Sequence, residues 1–169
     1  RGVIAAAYEN LAGTNQVHRA ILRLLDPLDF DTFIAALNGD IAAILQVDCI
    51  RLILETAQEK GDTKLSQFGD RLTLAEPGFV IDYLKLGHRS GTSPVLLRAV
   101  QNAVHPIYGT AAVKIQSEAC LRFNFGTERL PGMLLMGCQN PQQFSPKQGT
   151  ELLAFLAGVF ERAMRRWIL

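Results

Sequence analysis

No stretch of this chain holds the roughly 20 consecutive apolar residues that a membrane-spanning helix requires, so the sequence predicts no span. Charge of one sign is missing as well. Lys and Arg number 17 against 16 Asp and Glu, a net charge of +1, so no strong field draws the protein to nucleic acid or anionic lipid. Cysteine is scarce: Cys49, Cys120 and Cys138 make an odd set of 3 without a C-x-x-C pair. That fits reduced, buried thiols in a cytosolic protein better than a disulfide framework. The Gly-rich phosphate loops, the G-x-S-x-G nucleophile turn and the H-E-x-x-H zinc motif are all absent. His18, His88 and His105 are too scattered to suggest metal ligation, so neither metal nor cofactor is expected. No charged-then-apolar leader opens the chain, which makes the cytoplasm the expected compartment. Beginning on Arg1 rather than Met, the sequence reads as a piece of a longer polypeptide.

What is present suits one soluble domain. A length of 169 residues with 49% hydrophobic and 20% charged residues is enough for one substantial core and too little for two. Residues 4–25 read as a helix. Ile4, Tyr8, Leu11, Asn15, His18, Leu22 and Leu25 alternate steps of four and three, a heptad seam. Val17, Ile21 and Leu24 form a second apolar stripe, so this helix has two surfaces to satisfy. The seam serves either a second copy of the chain or packing within one chain, and Asn15 is the kind of polar seam residue that fixes register. Asp26-Pro27 ends the helix, which sets residues 1–26 apart from a domain over residues 27–169.

A second helix is predicted over residues 30–46, with Gly39 as a weak point. The period then changes to two. Ile50, Leu52 and Leu54 share one strand face, with Cys49, Arg51, Ile53 and Glu55 on the other. A polar loop follows, then a short strand at 72–74 and a short helix opened by Pro77-Gly78. Residues 94–108 read equally as helix or strand. Residues 117–125 alternate Ala119, Leu121, Phe123 and Phe125 against Glu118, Cys120, Arg122 and Asn124, and residues 133–138 return as the partner strand of a hairpin. Ser145, Pro146 and Gln148 make a capping-box start for a long amphipathic last helix. The order is helix, helix, strand, mixed middle, two strands, helix. It predicts an α+β fold: an antiparallel sheet with helices packed on it.

The segments ENLAGTNQVHRAILRLLD, VDCIRLILE, EPGFVIDYLKLG, SEACLRFNFG and PGMLLMGCQNPQQFSPKQGTELLAFLAGVFERAMRRWIL together resemble the bacterial domain-of-unknown-function family 484, within the GAF-like superfamily. The resemblance spans nearly the whole chain. It implies a GAF-like fold, with the N- and C-terminal helices packed on one face of the antiparallel sheet, in a cytoplasmic bacterial protein, and implies no reaction. In GAF-like domains the sheet side away from the terminal helices lines a ligand pocket. On that side the candidate ligand-binding residues are Arg51, Glu118, Cys120, Arg122 and Asn124, where an arginine fork would suit a carboxylate or phosphate. The candidate dimer helix carries Tyr8, Leu11, Asn15, His18 and Leu22. The expected function is a non-catalytic regulatory or sensor module. It would form a homodimer, bind a small anionic molecule and act on a separate protein partner. The alternatives are a ligand-free interaction scaffold, its pocket filled by residues such as Met133 and Met136, or a cysteine-dependent redox enzyme using Cys120 or Cys49. Neither nucleic acid nor membrane is an expected partner.

Overall fold

The computed structural model describes residues 3–57, 72–85, 94–100, 107–108, 114–126, 129–144 and 150–168, with side chains from residue 13 to 167. Helix α1 spans Val3–Leu25. Its later half buries Val17, Ala20 and Leu24, while Asn15, His18, Leu22 and Leu25 stay exposed. The second stripe therefore faces the core, and this part of the heptad seam faces out.

Helix α2 (Phe30–Ala36) begins at Asp29, whose side chain accepts the Thr32 N–H and caps the first turn. That bond holds the Asp29 carboxyl below its usual range. The expected single helix over 30–46 breaks at Gly39, where φ −105 and ψ −108 open a π-helical turn over Leu37–Ile41 before α3 (Ala42–Leu45). The break has a use. It turns Asn38 onto the backbone of Ile50, whose N–H it accepts and whose carbonyl it donates to. Those two groups lie on the open edge of strand β1 (Cys49–Glu55), so a side chain completes the ladder there.

The remaining elements are β2 (Thr73–Ala75), α4 (Phe79–Lys85), β3 (Val95–Ala99), β4 (Ser117–Phe123), β5 (Gly132–Cys138) and α5 (Glu151–Ile168). The sheet order is β2-β1-β5-β4-β3. Every neighbouring pair is antiparallel except β1–β2, which is parallel, so the expected antiparallel sheet has a mixed edge. The α+β architecture stands. Within the ambiguous segment 94–108, residues 95–99 form a strand, and 101–106 lie outside the described residues. β4 stops two residues early because the Asn124 N–H turns to the Glu161 carboxylate, and Asn124 Oδ1 accepts the Gly126 N–H. The proposed capping box at Ser145 to Gln148 lies outside the described residues.

Two apolar layers sandwich the sheet. On one face Ile50, Leu52, Leu54, Ala119, Leu121 and Phe123 pack with α1, α2 and α5. Aromatic rings tie these helices down: Phe33 sits 5.1 Å from Phe160 and 4.8 Å from Trp167, and Phe160 stacks on Phe123 at 4.9 Å. Gly13 of α1 lies against Leu152 in the first turn of α5. Phe30, just beyond α1, lies against Trp167 in the last turn of α5. Trp167 is roughly 22 Å along the helix from Leu152 at 1.5 Å per residue. A short connection at roughly 3.5 Å per residue joins Leu25 to Phe30 only if α1 and α5 run in the same direction. The terminal helices thus lie side by side on one face. The far face packs under α4 and Tyr108.

Candidate functional site

Strand alternation places three rows on the far face. Cys49, Gly137, Glu118 and Arg98 form one row, Arg51, Leu135, Cys120 and Leu96 the next, and Ile53, Met133 and Arg122 the third. Of the five ligand-binding candidates, four share this face. Asn124 does not join them, because it lies beyond the end of β4 and is held at the α5 side by Glu161 and by the Arg165 guanidinium at 3.5 Å.

Glu118 is the centre of the cluster and only 1% exposed. A carboxylate so far from water must be matched by donors, and three converge on it. Tyr83 Oη donates at 2.8 Å, Tyr108 Oη at 2.7 Å and Arg98 Nε at 2.6 Å. Arg98 is held in turn by the Tyr83 carbonyl at 3.2 Å and the Leu84 carbonyl at 3.5 Å, and its guanidinium lies 4.9 Å over the Tyr83 ring. Burial pushes the Tyr83 and Tyr108 phenols well above their ordinary range, and the Glu118 charge adds to the shift. The Arg98 guanidinium is the opposite balance: burial opposes its charge, but its buried neighbours, Glu118 among them, prevail and raise its pKa.

Arg51 belongs to the same construction. Its Nε and one terminal nitrogen donate to the carbonyls of Ile107 and Tyr108, and its other nitrogen donates to the Ile50 carbonyl. Arg51 therefore fixes the backbone at Tyr108 while Glu118 fixes its hydroxyl. Gly137 makes the path between them. A Cβ there would lie 3.0 Å from Tyr108 Cε1 and 2.9 Å from Ile115 Cδ1, so a side chain would displace the ring that crosses it. Glu55, 8% exposed, accepts the N–H groups of Gly78 and Val80 and caps the start of α4. Every acid on this face thus anchors a piece of the covering layer to the sheet.

The family model described as "Protein of unknown function, DUF484" matches residues 2–169. The chain belongs to the DUF484 family. No curated protein matches it.

In this DUF484 chain the three thiols are free and buried. Burial raises the pKa of Cys120 well above the usual thiol value, and Glu118 raises it further. Cys49 is also raised by burial, which outweighs the neighbouring Arg51 charge, and Cys138 is raised by burial and by Asp48. Nucleophilic thiols need the reverse, an open electropositive setting. Arg122 is the one ligand candidate whose side chain stays without a partner among the described residues. It is half-buried beside Met133. Among the described residues no group of three His, Cys, Asp or Glu side chains is placed to hold a metal, and no helix is long and apolar enough to cross a membrane. His88 and His105 lie outside the described residues, and His18 is exposed.

Sequence reasoning missed Arg98, Tyr83 and Tyr108. Arg98 lay in the segment readable as helix or strand, and the tyrosines lie outside the strands. The available signal was Glu118 itself, an acid at the start of an apolar strand that demands cationic or hydroxyl partners once the covering layer closes over it.

Proposed function

We propose that this DUF484 chain is a non-catalytic, GAF-like protein-interaction module. It self-associates through α1, acts on a separate protein partner in the cytoplasm, and uses the far face of its sheet as a closed interior. The observation that supports this reading most is the division of α1 into two apolar faces. One is spent on the core at Val17, Ala20 and Leu24. The other keeps Leu22 at 65% and Leu25 at 48% exposure beside Asn15 and His18. Apolar residues at heptad spacing on an outward face are what a helix partner would cover. The far face supports the closed-interior part, since Arg51 and Glu118 spend their hydrogen bonds on Tyr108, Tyr83 and Arg98. The scaffold alternative is thereby favoured over an open pocket.

Sedimentation velocity tests the reading. The native chain should sediment as a dimer at micromolar concentration and Leu22→Glu as a folded monomer. A native monomer at high micromolar concentration would refute it. A second reading rests on Arg122, a half-buried guanidinium without a partner among the described residues, whose fork suits a carboxylate or phosphate. Thermal-shift screening of small anions should then give a stabilising hit that Arg122→Ala abolishes; no hit with any anion rejects it.

A further inference from the structure

Tyr108 is held on the far face of the sheet as a bound molecule would be held, each part of it by a group of matching chemistry. Its ring crosses Gly137, where the sheet carries no side chain and an added Cβ would stand 3.0 Å from Tyr108 Cε1. Its hydroxyl donates to Glu118 Oε1 at 2.7 Å, the same oxygen that accepts the Tyr83 hydroxyl at 2.8 Å. Its backbone carbonyl accepts from Arg51 at 3.3 Å, and the carbonyl of Ile107 before it accepts from Arg51 at 3.2 Å. Tyr108 itself is only 3% exposed and lies outside the strands. Strands β1, β4 and β5 thus supply the recognition, and a separate segment supplies the group recognised.

The two oxygens of Glu118 divide their work. Oε2 takes Arg98 Nε at 2.6 Å, which leaves Oε1 to the two phenols. A ring without a hydroxyl would fill the gap over Gly137 but strip a donor from a carboxylate shut away from water. A site built around a hydroxyl rejects the analogue that lacks it. We propose that this face is a binding site for a small para-substituted phenol, kept filled by the chain's own Tyr108 side chain as an autoinhibitory stand-in. The proposal rests on the closed-interior reading of the far face given above. An incoming phenol competes with a group tethered to the same chain. Its apparent affinity for the native protein is therefore lowered by the fraction of molecules in which Tyr108 has withdrawn.

Emptying the slot in the full chain tests this. Tyr108→Gly removes the ring, its hydroxyl and Cβ while keeping the backbone carbonyls that Arg51 holds. 4-Methylphenol returns all of those atoms, whereas toluene returns the ring and methyl carbon alone. A ring-sized apolar cavity takes up benzene-like molecules, so the difference between the two ligands reads the hydroxyl bond to Glu118. By titration calorimetry at neutral pH, Tyr108→Gly should bind 4-methylphenol at least about tenfold tighter than toluene. It should also bind 4-methylphenol at least about tenfold tighter than the native chain does, because the stand-in is gone. Where Tyr108→Gly is unfolded on its own, the readout becomes folding: 4-methylphenol should restore the far-ultraviolet circular dichroism and toluene should not. Equal affinity for the two ligands, no binding to a folded variant, or no recovery of an unfolded one overturns the phenol site and leaves the closed interior standing. A native chain that binds 4-methylphenol as tightly as the variant overturns both, since the far face is then open.

Discussion

Replacing Glu118 by glutamine keeps the shape of the side chain and removes its charge, which isolates what the buried carboxylate contributes. Glu118 is 1% exposed and Arg98 13%, so the variant leaves a guanidinium largely shut away from water without its counter-ion. Breaking a buried pair from one side costs about 3–5 kcal/mol. Arg98 retains the Tyr83 and Leu84 carbonyls, and the glutamine oxygen still accepts at least one donor, which places the loss near the lower end, about 3 kcal/mol. The glutamine amino group replaces one of the two accepting oxygens, so either Arg98 Nε or the Tyr83 and Tyr108 hydroxyls lose their acceptor. Tyr108→Phe removes one of three bonds to the carboxylate and should cost less, about 1.5 kcal/mol. Urea unfolding monitored by circular dichroism measures both. For a domain of this size about 3 kcal/mol corresponds to a fall in Tm of roughly 6–12 °C. A loss below about 1 kcal/mol, within reach of an ordinary surface substitution, would mean that water reaches the cluster and that the far face is not a closed interior.

Alkaline stability should follow the same network. The folded phenols of Tyr83 and Tyr108 lie above their unfolded value of about 10, so the native state holds protons that the unfolded state releases. Their contribution is complete below about pH 10 and is lost as pH rises further. Absorbance at 295 nm should show both phenols ionising only with unfolding, and early ionisation of either would contradict the burial. Native protein should react with a thiol reagent such as Ellman's only as fast as it unfolds, with Cys120 last; a fast-reacting thiol in native conditions would reopen the redox reading. Gly137→Ala should destabilise by about 1–3 kcal/mol, the usual range for overpacking, and should loosen Tyr108, read as easier alkaline ionisation. An unchanged Cm and an unchanged titration would show that Tyr108 does not depend on that gap.

Several levels of this structure could be read from the chain alone, because they follow from local periodicity. Alternation in residues 49–55 and 117–123 fixed which side chains share each sheet face. The heptad and core stripes separated the two faces of α1, and Gly39 marked the break between α2 and α3. Residue spacing also placed Glu118, Cys120 and Arg122 on one side of their strand and Arg51 opposite the apolar side of its own, while the pairing of both strands with β5 put the four on one face. Only the tertiary structure decided what that face does. Glu118 acquires its meaning from Arg98 on β3, Tyr83 on α4 and Tyr108 beyond, and Arg51 from two carbonyls more than 50 residues away in sequence. Periodicity reports orientation about an element's own axis, which neighbouring residues set. A hydrogen-bond partner is chosen by the fold, which brings distant segments within 3 Å and excludes the water that would otherwise have served.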